Sequence, residues 1–270
     1  MEYDTRKILI YCAVKYDGDP VKIINAVRSR EYEQVPHSEM EQVCDSIKSK
    51  VITFADKDFP SKLKNLFRPP LVLFYYGDIT LLDEDKRCYG VVGSREYSEY
   101  GELATRKLVK EMGADTVVVS GLARGIDAIA HESALENGAK TIAVLSSGVD
   151  NCYPEENQEL YERIKTEGLV ISEYPSMSEP TKDHFPNRNR LIAALSEALI
   201  VPQINSHVSG TTITINLAVG NNKPIYVVPF SIFEETVNNE IIAEGANPAL
   251  SGQQILEDLH WDKDSDENKK

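Results

Sequence analysis

The chain has 270 residues, 41% of them hydrophobic, and a net charge of −14 at pH 7. This length suits one large domain with a sizeable core, with or without a small appendage. No apolar run approaches the roughly 18 residues of a membrane span, and the polar start MEYDTRK differs from a signal peptide. We therefore expect a cytoplasmic protein with no membrane partner.

The acidic residues are unevenly distributed along the chain. Residues 150–185 hold 3 Lys and Arg against 9 Asp and Glu, and residues 231–270 hold 3 against 10. By contrast, residues 86–131 hold 7 against 6, and residues 186–230 hold 3 against 1. The overall charge argues against a nucleic-acid partner, because phosphate binding normally needs a positive surface. The distribution still allows a local basic pocket.

Four cysteines are present, and they are widely separated in the sequence: Cys12, Cys44, Cys88 and Cys152. No two of them form a C-x-x-C pair, so the spacing predicts neither a zinc site nor a disulfide framework. We expect reduced structural thiols, no metal and no cofactor.

The first 48 residues mix short apolar clusters with charges, as in KILIYCAVKY and VKIINAVRSR, and are predicted to form two or three small helices. From VITF onward, short apolar runs alternate with amphipathic stretches, which is typical of strand–helix units and a parallel sheet. The predicted strands are residues 51–54, 71–76, 89–92, 117–119, 142–145, 169–171, 198–201 and 225–228. Several are apolar throughout, as expected for strands covered on both faces.

Four helices are predicted between these strands. Residues 98–112 end before Gly113 and residues 126–137 end before Gly138, as is typical of helix C-termini. The other two are residues 190–197 and 212–219. The charged end, residues 260–270, has almost no apolar content and is predicted to be disordered. The chain would thus comprise a helical segment (1–48), an α/β domain (49–259) and a tail (260–270).

Turns rich in serine, glycine and arginine follow several predicted strands. In VVGSREYSEYG, Gly93 would let a ligand approach the backbone, while Ser94 and Arg95 offer donors suited to phosphate. Ser98 is the predicted N-cap of the next helix. VVVSGLARGIDAIAH, AVLSSGVDNCYP and HVSGTTITINLAVG contain further turns, and HFPNRNRLIAALS places two arginines at a predicted helix start. Anions bind at such positions because the first N–H groups of a helix are unpaired and partly positive.

The arrangement of these turns predicts the type of ligand. In a doubly wound sheet they emerge at the carboxyl ends of the strands, where ligands bind near a topological switch point. The chain has neither G-x-G-x-x-G nor G-x-x-x-x-G-K-[ST]. Donors spread over several turns suit successive phosphates better than one compact pyrophosphate, so we predict a single-stranded nucleic acid as partner.

The motifs, taken in order over about three quarters of the chain, resemble the DNA-processing protein A (DprA/Smf) family. They are FADKDFPSKLKNLFRPPLVLFYYGD, VVGSREYSEYG, SGLARGIDAIAH, GVDNCYPEENQEL, LVISEYPSMSEP, HFPNRNRLIAALS and NEIIAEGANPAL. An ordered set is more specific than any single block. The resemblance implies an α/β fold with an extended Rossmann-like, mostly parallel sheet, helices on both faces and a small helical segment before it. It also implies a homodimer that binds and protects single-stranded DNA and helps load the RecA recombinase in natural transformation and recombination, without catalysis.

The resemblance implies DNA-binding roles for the residues of the matching turns. These are Gly93, Ser94, Arg95, Ser98, Ser120, Gly121, Arg124, Arg188, Asn189, Arg190, Ser209 and Gly210. The chain departs from the family pattern at three places. Pro202 replaces a glutamate, Val208 replaces a basic residue with His207 as the nearest partly basic group, and Phe230 replaces the glycine after Pro229. The missing cation concerns DNA affinity more than the fold.

Two other functions stay open at this point. SGTTITIN is similar to a block of the lysine-decarboxylase-like phosphoribohydrolases, but it lacks their catalytic glutamate, and acid–base chemistry needs a positioned carboxylate. A nucleotide sensor would use the same turns, and it would bind one mononucleotide per chain irrespective of oligonucleotide length.

Several candidate residues also have a structural interpretation. His131 could be a base or a helix residue bonded to its surroundings. Asp127 is more consistent with a helix-start residue that contacts nearby turns than with an acid catalyst. Arg188 and Arg190 could bind phosphate, or they could pair with Glu173 and neighbouring acids.

Overall fold

The amino-terminal part of the chain is helical, as predicted. The computed structural model describes the backbone of residues 4–267 and the side chains up to Leu259. The first helices are α1 (Thr5–Lys15), α2 (Pro20–Arg28) and α3 (His37–Ser46). Asp4 and Asp19 cap α1 and α2 by accepting N–H bonds from the first turn. The helices pack against one end of the sheet, where Val72 and Phe74 contribute to a shared apolar cluster.

A single mixed sheet forms the core of the fold. Its strands are β1 (Lys50–Thr53), β2 (Val72–Gly77), β3 (Arg87–Val91), β4 (Thr116–Ser120), β5 (Lys140–Val144), β6 (Leu169–Ser172), β7 (Ala198–Val201), β8 (Ile225–Val227) and β9 (Asn247–Pro248). Their order is β1-β2-β6-β5-β4-β3-β7-β8-β9. β2 is antiparallel to β1 and β6, and all other neighbours are parallel.

All eight predicted strands are present, with ends that differ by at most two residues. The ninth, β9, was not predicted because a two-residue run that contains proline has no recognisable strand pattern.

Helices cover both faces of the sheet. They are α4 (Ser61–Lys64), α5 (Glu99–Met112), α6 (Ile126–Glu136), α7 (Gln158–Glu167), α8 (His184–Leu195), α9 (Gly210–Gly220), α10 (Asn238–Ala243) and α11 (Gly252–Glu267). On one face, α4, α8 and α9 contribute Leu63, Leu191 and Ile215 to an apolar cluster. Leu108 of α5 and Ile129 of α6 pack on the opposite face, together with α11. The predicted α/β fold class, a Rossmann-like and mostly parallel sheet with helices on both faces, is confirmed.

The predicted start of α8 is wrong. The sequence pattern placed a helix at residues 190–197, whereas α8 begins at His184, so Arg188 and Arg190 lie inside the helix rather than at its start. Pro186 is tolerated because the third position of a helix needs no N–H donor. The polar run NRNR interrupts the apolar periodicity of α8, because regularly spaced apolar residues begin only at Leu191.

The end of the described chain is helical. Residues 260–270 were expected to be disordered, yet the backbone of α11 continues to Glu267, and residues 268–270 lie outside the described residues. A helix already started by packed residues is extended at little cost, because nucleation is the unfavourable step. The proposed boundaries at residues 48 and 260 stay predictions. Within residues 4–267, no helix has the length and apolar character needed to cross a bilayer.

The sheet order creates a crevice beside β3. From β3 the chain proceeds to β4 on one side, while β7 pairs with β3 on the other side. The loops that follow β3 and β7 therefore diverge at the carboxyl edge of the sheet, which is the switch point at which doubly wound folds bind ligands.

Candidate functional site

A cleft of about 550 Å³ opens at this switch point. Its walls come from the loops after β3 and β7, from the first turns of α6 and α9 and from α8. Seven of the twelve predicted residues line it: Gly93, Ser94, Arg95, Arg188, Asn189, Ser209 and Gly210. We call the half-buried Gly93 and the buried Asp127 and Arg188 the floor of the cleft, and the exposed residues Arg95, Glu96 and Lys182 its rim.

The loop after β3 is fixed by contacts within the protein. The Ser94 N–H donates to the Gln203 carbonyl oxygen at 2.9 Å, and the Asn205 N–H donates to the Ser94 hydroxyl oxygen at 3.0 Å. A Cβ at Gly93 would lie 2.7 Å from Ile126. Glycine is thus required here by the approach of α6, and the expectation that it also lets a ligand approach the backbone stays a prediction.

Ser98 has the predicted N-cap role and serves the same loop. Its hydroxyl accepts the Gly101 N–H at 3.2 Å, while its own N–H and hydroxyl donate to Gln203 Oε1 at 2.9 and 3.0 Å. Gln203 therefore ties the loop after β7 to the start of α5. No local sequence pattern marks Gln203, because Ser94 and Ser98 are more than a hundred residues away in sequence. Ser98 does not line the cleft.

Asp127 holds two turns together at the floor. It is the second residue of α6 and only 5% exposed. One carboxylate oxygen accepts the Gly93 N–H at 3.4 Å, and the other accepts the Gly121 N–H at 3.1 Å. Burial raises the pKa of the Asp127 carboxyl, and Arg188 together with the N–H donors offsets part of that rise. These contacts support the interpretation of Asp127 as a residue that organises nearby turns.

Arg188 spans the floor from the opposite side and is 6% exposed. Its Nη1 donates to the carbonyl oxygens of Gly121 and Val144 at 2.5 and 2.7 Å, and its Nε donates to Asn189 Oδ1 at 2.9 Å. Within the described part of the chain, Nη2 has no hydrogen-bond partner. Burial lowers the pKa of the Arg188 guanidinium, while Asp127 acts to raise it. Arg188 thus uses most of its donors on the protein and retains Nη2 for a ligand.

The turn after β4 supports the floor more than it faces the cleft. The Ser120 hydroxyl is fully buried and donates to the Val91 carbonyl oxygen at 2.6 Å. A Cβ at Gly121 would collide with the Arg188 guanidinium. Arg124 is exposed, and its Nε lies 2.6 Å from a carboxylate oxygen of Glu156.

A small second space adjoins the cleft and shares part of its wall. This slot has a volume of about 40 Å³. Its lining includes Arg95, Arg124, Arg188, Tyr153 and Phe185. Three guanidinium groups and two aromatic rings therefore meet beside the cleft.

Arg190 lies away from the cleft, although the sequence grouped it with Arg188. It faces a separate cavity of about 400 Å³ between the amino-terminal helices and α8. Its Nη2 donates to both carboxylate oxygens of the buried Glu173 at 2.5 and 2.6 Å. Burial raises the pKa of Glu173, and Arg190 opposes this shift. The structural alternative, pairing with Glu173, therefore describes Arg190 but not Arg188.

The rim carries cations that have no ion-pair partner among the described residues. Arg95 and Lys182 are exposed, and neither forms an ion pair with a described residue. The Arg95 guanidinium lies 5.9 Å from the centre of the Phe185 ring, within reach of a cation–π contact. Lys182 and Phe185 were not among the predicted residues, although Phe185 lies in the HFPNRNR block and Lys182 two residues before it. Glu96 contributes one negative charge.

The first turn of α9 forms another side of the cleft. Ser209 caps this helix by accepting the Thr212 N–H at 3.2 Å. Asn189 donates from Nδ2 to the Gly210 carbonyl oxygen at 3.1 Å. The N–H groups of Gly210 and Thr211 have no partner among the described residues. Such groups at a helix start favour an anion.

The structure also places the three departures from the family pattern. Val208 is 93% exposed and His207 pairs with Glu240 at 2.8 Å, so the position before Ser209 carries no free cation. The Pro202 carbonyl oxygen accepts an N–H from Asn238 at 3.1 Å. Phe230 packs edge-on against Tyr100, with ring centres 4.9 Å apart. The phenylalanine thus has a packing role that a glycine would not fill.

His131 lies in the core and not in the cleft. It is fully buried, and its Nδ1 lies 2.6 Å from the Thr141 hydroxyl oxygen. That hydroxyl donates to the Val118 carbonyl oxygen, so Nδ1 carries the proton and donates to Thr141. Burial lowers the pKa of His131 to about 3. The ring is therefore neutral at pH 7 and has the structural role.

Comparisons with known proteins agree with this fold. The family model described as DNA recombination-mediator protein A matches residues 50–260. DNA processing protein DprA of Streptococcus pneumoniae is 38% identical over 208 residues, which cover 76% of this chain and 73% of that protein. DNA processing protein DprA of Bacillus subtilis is 37% identical over 211 residues, covering 77% and 70%.

Two solved structures extend the similarity to three dimensions. The X-ray structure of DprA from Streptococcus pneumoniae has a TM-score of 0.78 and 33% identity, and the match covers 93% of this chain and 92% of that chain. DprA from Helicobacter pylori, solved to describe its single-stranded DNA binding mode, has a TM-score of 0.72 and 31% identity over 80% and 98%. The chain therefore belongs to the DNA recombination-mediator protein A (DprA/Smf) family.

Proposed function

We propose that this protein binds single-stranded DNA in the cleft, protects it and helps load the RecA recombinase onto it during transformation or recombination. The observation that carries this proposal is the set of exposed rim cations, Arg95 and Lys182, that have no ion-pair partner in the described chain. The phosphates of a DNA strand would supply the negative counter-charge that these two cations lack within the protein.

The shape and lining of the cleft favour a single strand over a duplex. Phe185 and the Arg95 guanidinium present flat surfaces beside the cationic groups, and unpaired bases stack on such surfaces. The cleft and slot lie in one crevice rather than on a broad face. The related Helicobacter pylori protein binds single-stranded DNA, which supports the same ligand here.

We assign the twelve predicted residues to three groups. Direct contacts with DNA would come from Arg95, Arg124, Arg188, Asn189, Ser209 and Gly210. Support for the loops would come from Gly93, Ser94, Ser98, Ser120 and Gly121. Arg190 would act indirectly, through its pair with Glu173 at the base of α8.

The proposed role is that of a mediator rather than an enzyme. A phosphoribohydrolase would need a positioned carboxylate, and residues 209–216 contain none. Asp127 lies in the cleft, but both of its oxygens accept backbone N–H bonds.

The proposal includes homodimer formation and RecA loading because the family resemblance implies both. Light scattering would test the first, and the rate of RecA filament formation on DNA bound by this protein would test the second.

Fluorescence anisotropy of labelled oligonucleotides of increasing length, across a salt series, tests DNA binding. We expect affinity to rise with length and to resist competition by duplex DNA or a mononucleotide. Arg95→Ala should weaken binding about fivefold, equivalent to about 1 kcal/mol, because it removes one phosphate contact. The slope of log K against log salt should fall by about 0.7.

Arg163→Ala is the matched control, because it removes the same charge from an exposed arginine on α7. Equal weakening by both variants would show that only the overall charge matters and would contradict the cleft. Full competition by one mononucleotide would favour the sensor function instead.

A further inference from the structure

The floor of the cleft is already occupied by an anion that belongs to the protein. In Rossmann-like folds the N–H groups of strand-to-helix turns commonly face a ligand phosphate. Here the Gly93 and Gly121 N–H groups, which follow β3 and β4, both donate to the Asp127 carboxylate. The Ile126 N–H at the start of α6 donates to the Ser94 carbonyl oxygen at 3.2 Å. These donors are therefore engaged before any ligand arrives.

The charge of Asp127 is balanced locally. Arg188 is the buried cation of the floor, and its Nη1 bonds to Gly121, the same residue whose N–H binds Asp127. Both oxygens of Asp127 accept N–H bonds, as an ionised carboxylate does. The floor thus has one buried negative and one buried positive charge. Adding a phosphate would place a second anion beside the carboxylate, which is unfavourable at low local dielectric.

We propose that Asp127 is a built-in anion that fills the phosphate position at the floor and thereby sets the ligand specificity of the cleft. It excludes the phosphate of a free nucleotide from the turns after β3 and β4. Bound phosphates are restricted to the rim and to the first turn of α9. This inference concerns small anions and does not depend on the proposed DNA binding.

Replacement of Asp127 tests the inference directly in the full chain. Asp127→Ala removes the internal anion, leaves the donors of Gly93 and Gly121 unpaired and leaves Arg188 without its counter-charge. The variant should unfold at a lower temperature than the wild type. Inorganic phosphate should raise its unfolding midpoint by several degrees in a saturable manner, because a ligand that binds only the folded state stabilises it. The variant should also bind adenosine 5′-monophosphate at least tenfold more tightly than the wild type.

Ser120→Ala is the matched control. It removes another buried hydrogen bond from the same turn but leaves the charge balance of the floor intact. The wild type and this control report the general stabilisation of folded proteins by phosphate. A folded Asp127→Ala protein that responds to phosphate no more than they do would overturn the inference. Tight binding of the mononucleotide by the wild type would overturn it as well.

A second variant tests the inference in case Asp127→Ala does not fold. Asp127→Asn keeps the size of the side chain and removes its charge, so it should also gain a saturable response to phosphate. If neither variant folds without phosphate, refolding with phosphate present becomes the readout, and we expect recovery. Failure of both variants to recover with phosphate would contradict the idea that a phosphate can replace the carboxylate.

Discussion

The floor and the rim of the cleft use the same kinds of residue in opposite ways. At the floor, Asp127 and Arg188 are buried and direct most of their bonding groups to the backbone of β3, β4 and β5 or of the turns that follow them. At the rim, Arg95 and Lys182 are exposed and have no ion-pair partner among the described residues. A charged residue in a motif is thus most available to a ligand where the fold has not already given it a partner.

Arg188 and Arg190 show how local this difference is. They are two residues apart on α8, so their side chains point about 200° apart around the helix axis. One faces the cleft, and the other pairs with Glu173 beside the amino-terminal helices. The Arg-Asn-Arg block therefore serves two regions of the molecule.

The largest expected effect is the loss of stability on replacing Arg188 at the floor. Arg188→Ala removes three hydrogen bonds and the nearby positive charge that favours the ionised form of Asp127, so the free energy of unfolding should fall by about 3–5 kcal/mol. Urea denaturation measures this loss. Arg188→Lys should lose less, because it keeps the charge. A loss below about 1 kcal/mol for Arg188→Ala, as expected for an exposed pair, would show that the floor and the rim do not differ in this way.

A fall in pH should lower the free energy of unfolding through His131, a buried residue of α6. The pKa of His131 in the folded protein is about 3, below its ordinary value of 6.5, so the unfolded chain binds the proton more readily. This stability is present above pH 6.5 and is lost as the pH falls toward 3. In that window the folded state should lose about 1.4 kcal/mol per pH unit through His131.

His131→Asn should flatten the dependence of the unfolding free energy on pH between 6 and 4, as measured by denaturant titrations at several pH values. Ser133→Ala, which removes a buried polar group of the same helix that does not titrate, is the control and should keep the slope of the wild type. An unchanged slope in His131→Asn would assign the acid sensitivity to other groups.

The smallest expected effect on stability is at the exposed end of the slot. Arg124→Ala removes a solvent-exposed pair with Glu156, so the unfolding free energy should change by less than about 0.5 kcal/mol. Oligonucleotide affinity should nevertheless fall, by about two- to fivefold, through the lost phosphate contact. Thermal unfolding and anisotropy on the same sample separate the two effects. A large loss of stability would place Arg124 with the floor rather than with the exposed cations.

Local sequence patterns predicted most of the fold and only part of the site. The eight longer strands were found because their apolar runs are contiguous, and the glycines after α5 and α6 marked the helix ends. The start of α8 was missed because its first two turns are polar. The bonds of Asp127 and Gln203 join turns that are 6 to more than 100 residues apart in sequence, and no local pattern encodes such pairs.

The contact between Gly121 and Arg188 has a consequence for how this sequence tolerates substitution. The backbone at residue 121 does not have a positive φ, so glycine is required there by the space that the guanidinium occupies. A side chain at residue 121 would displace Arg188 and would therefore cost much the same as losing it. The two positions should behave as one unit in any mutational survey, with strongly non-additive effects, and a larger residue at 121 should be tolerated only where residue 188 has become small.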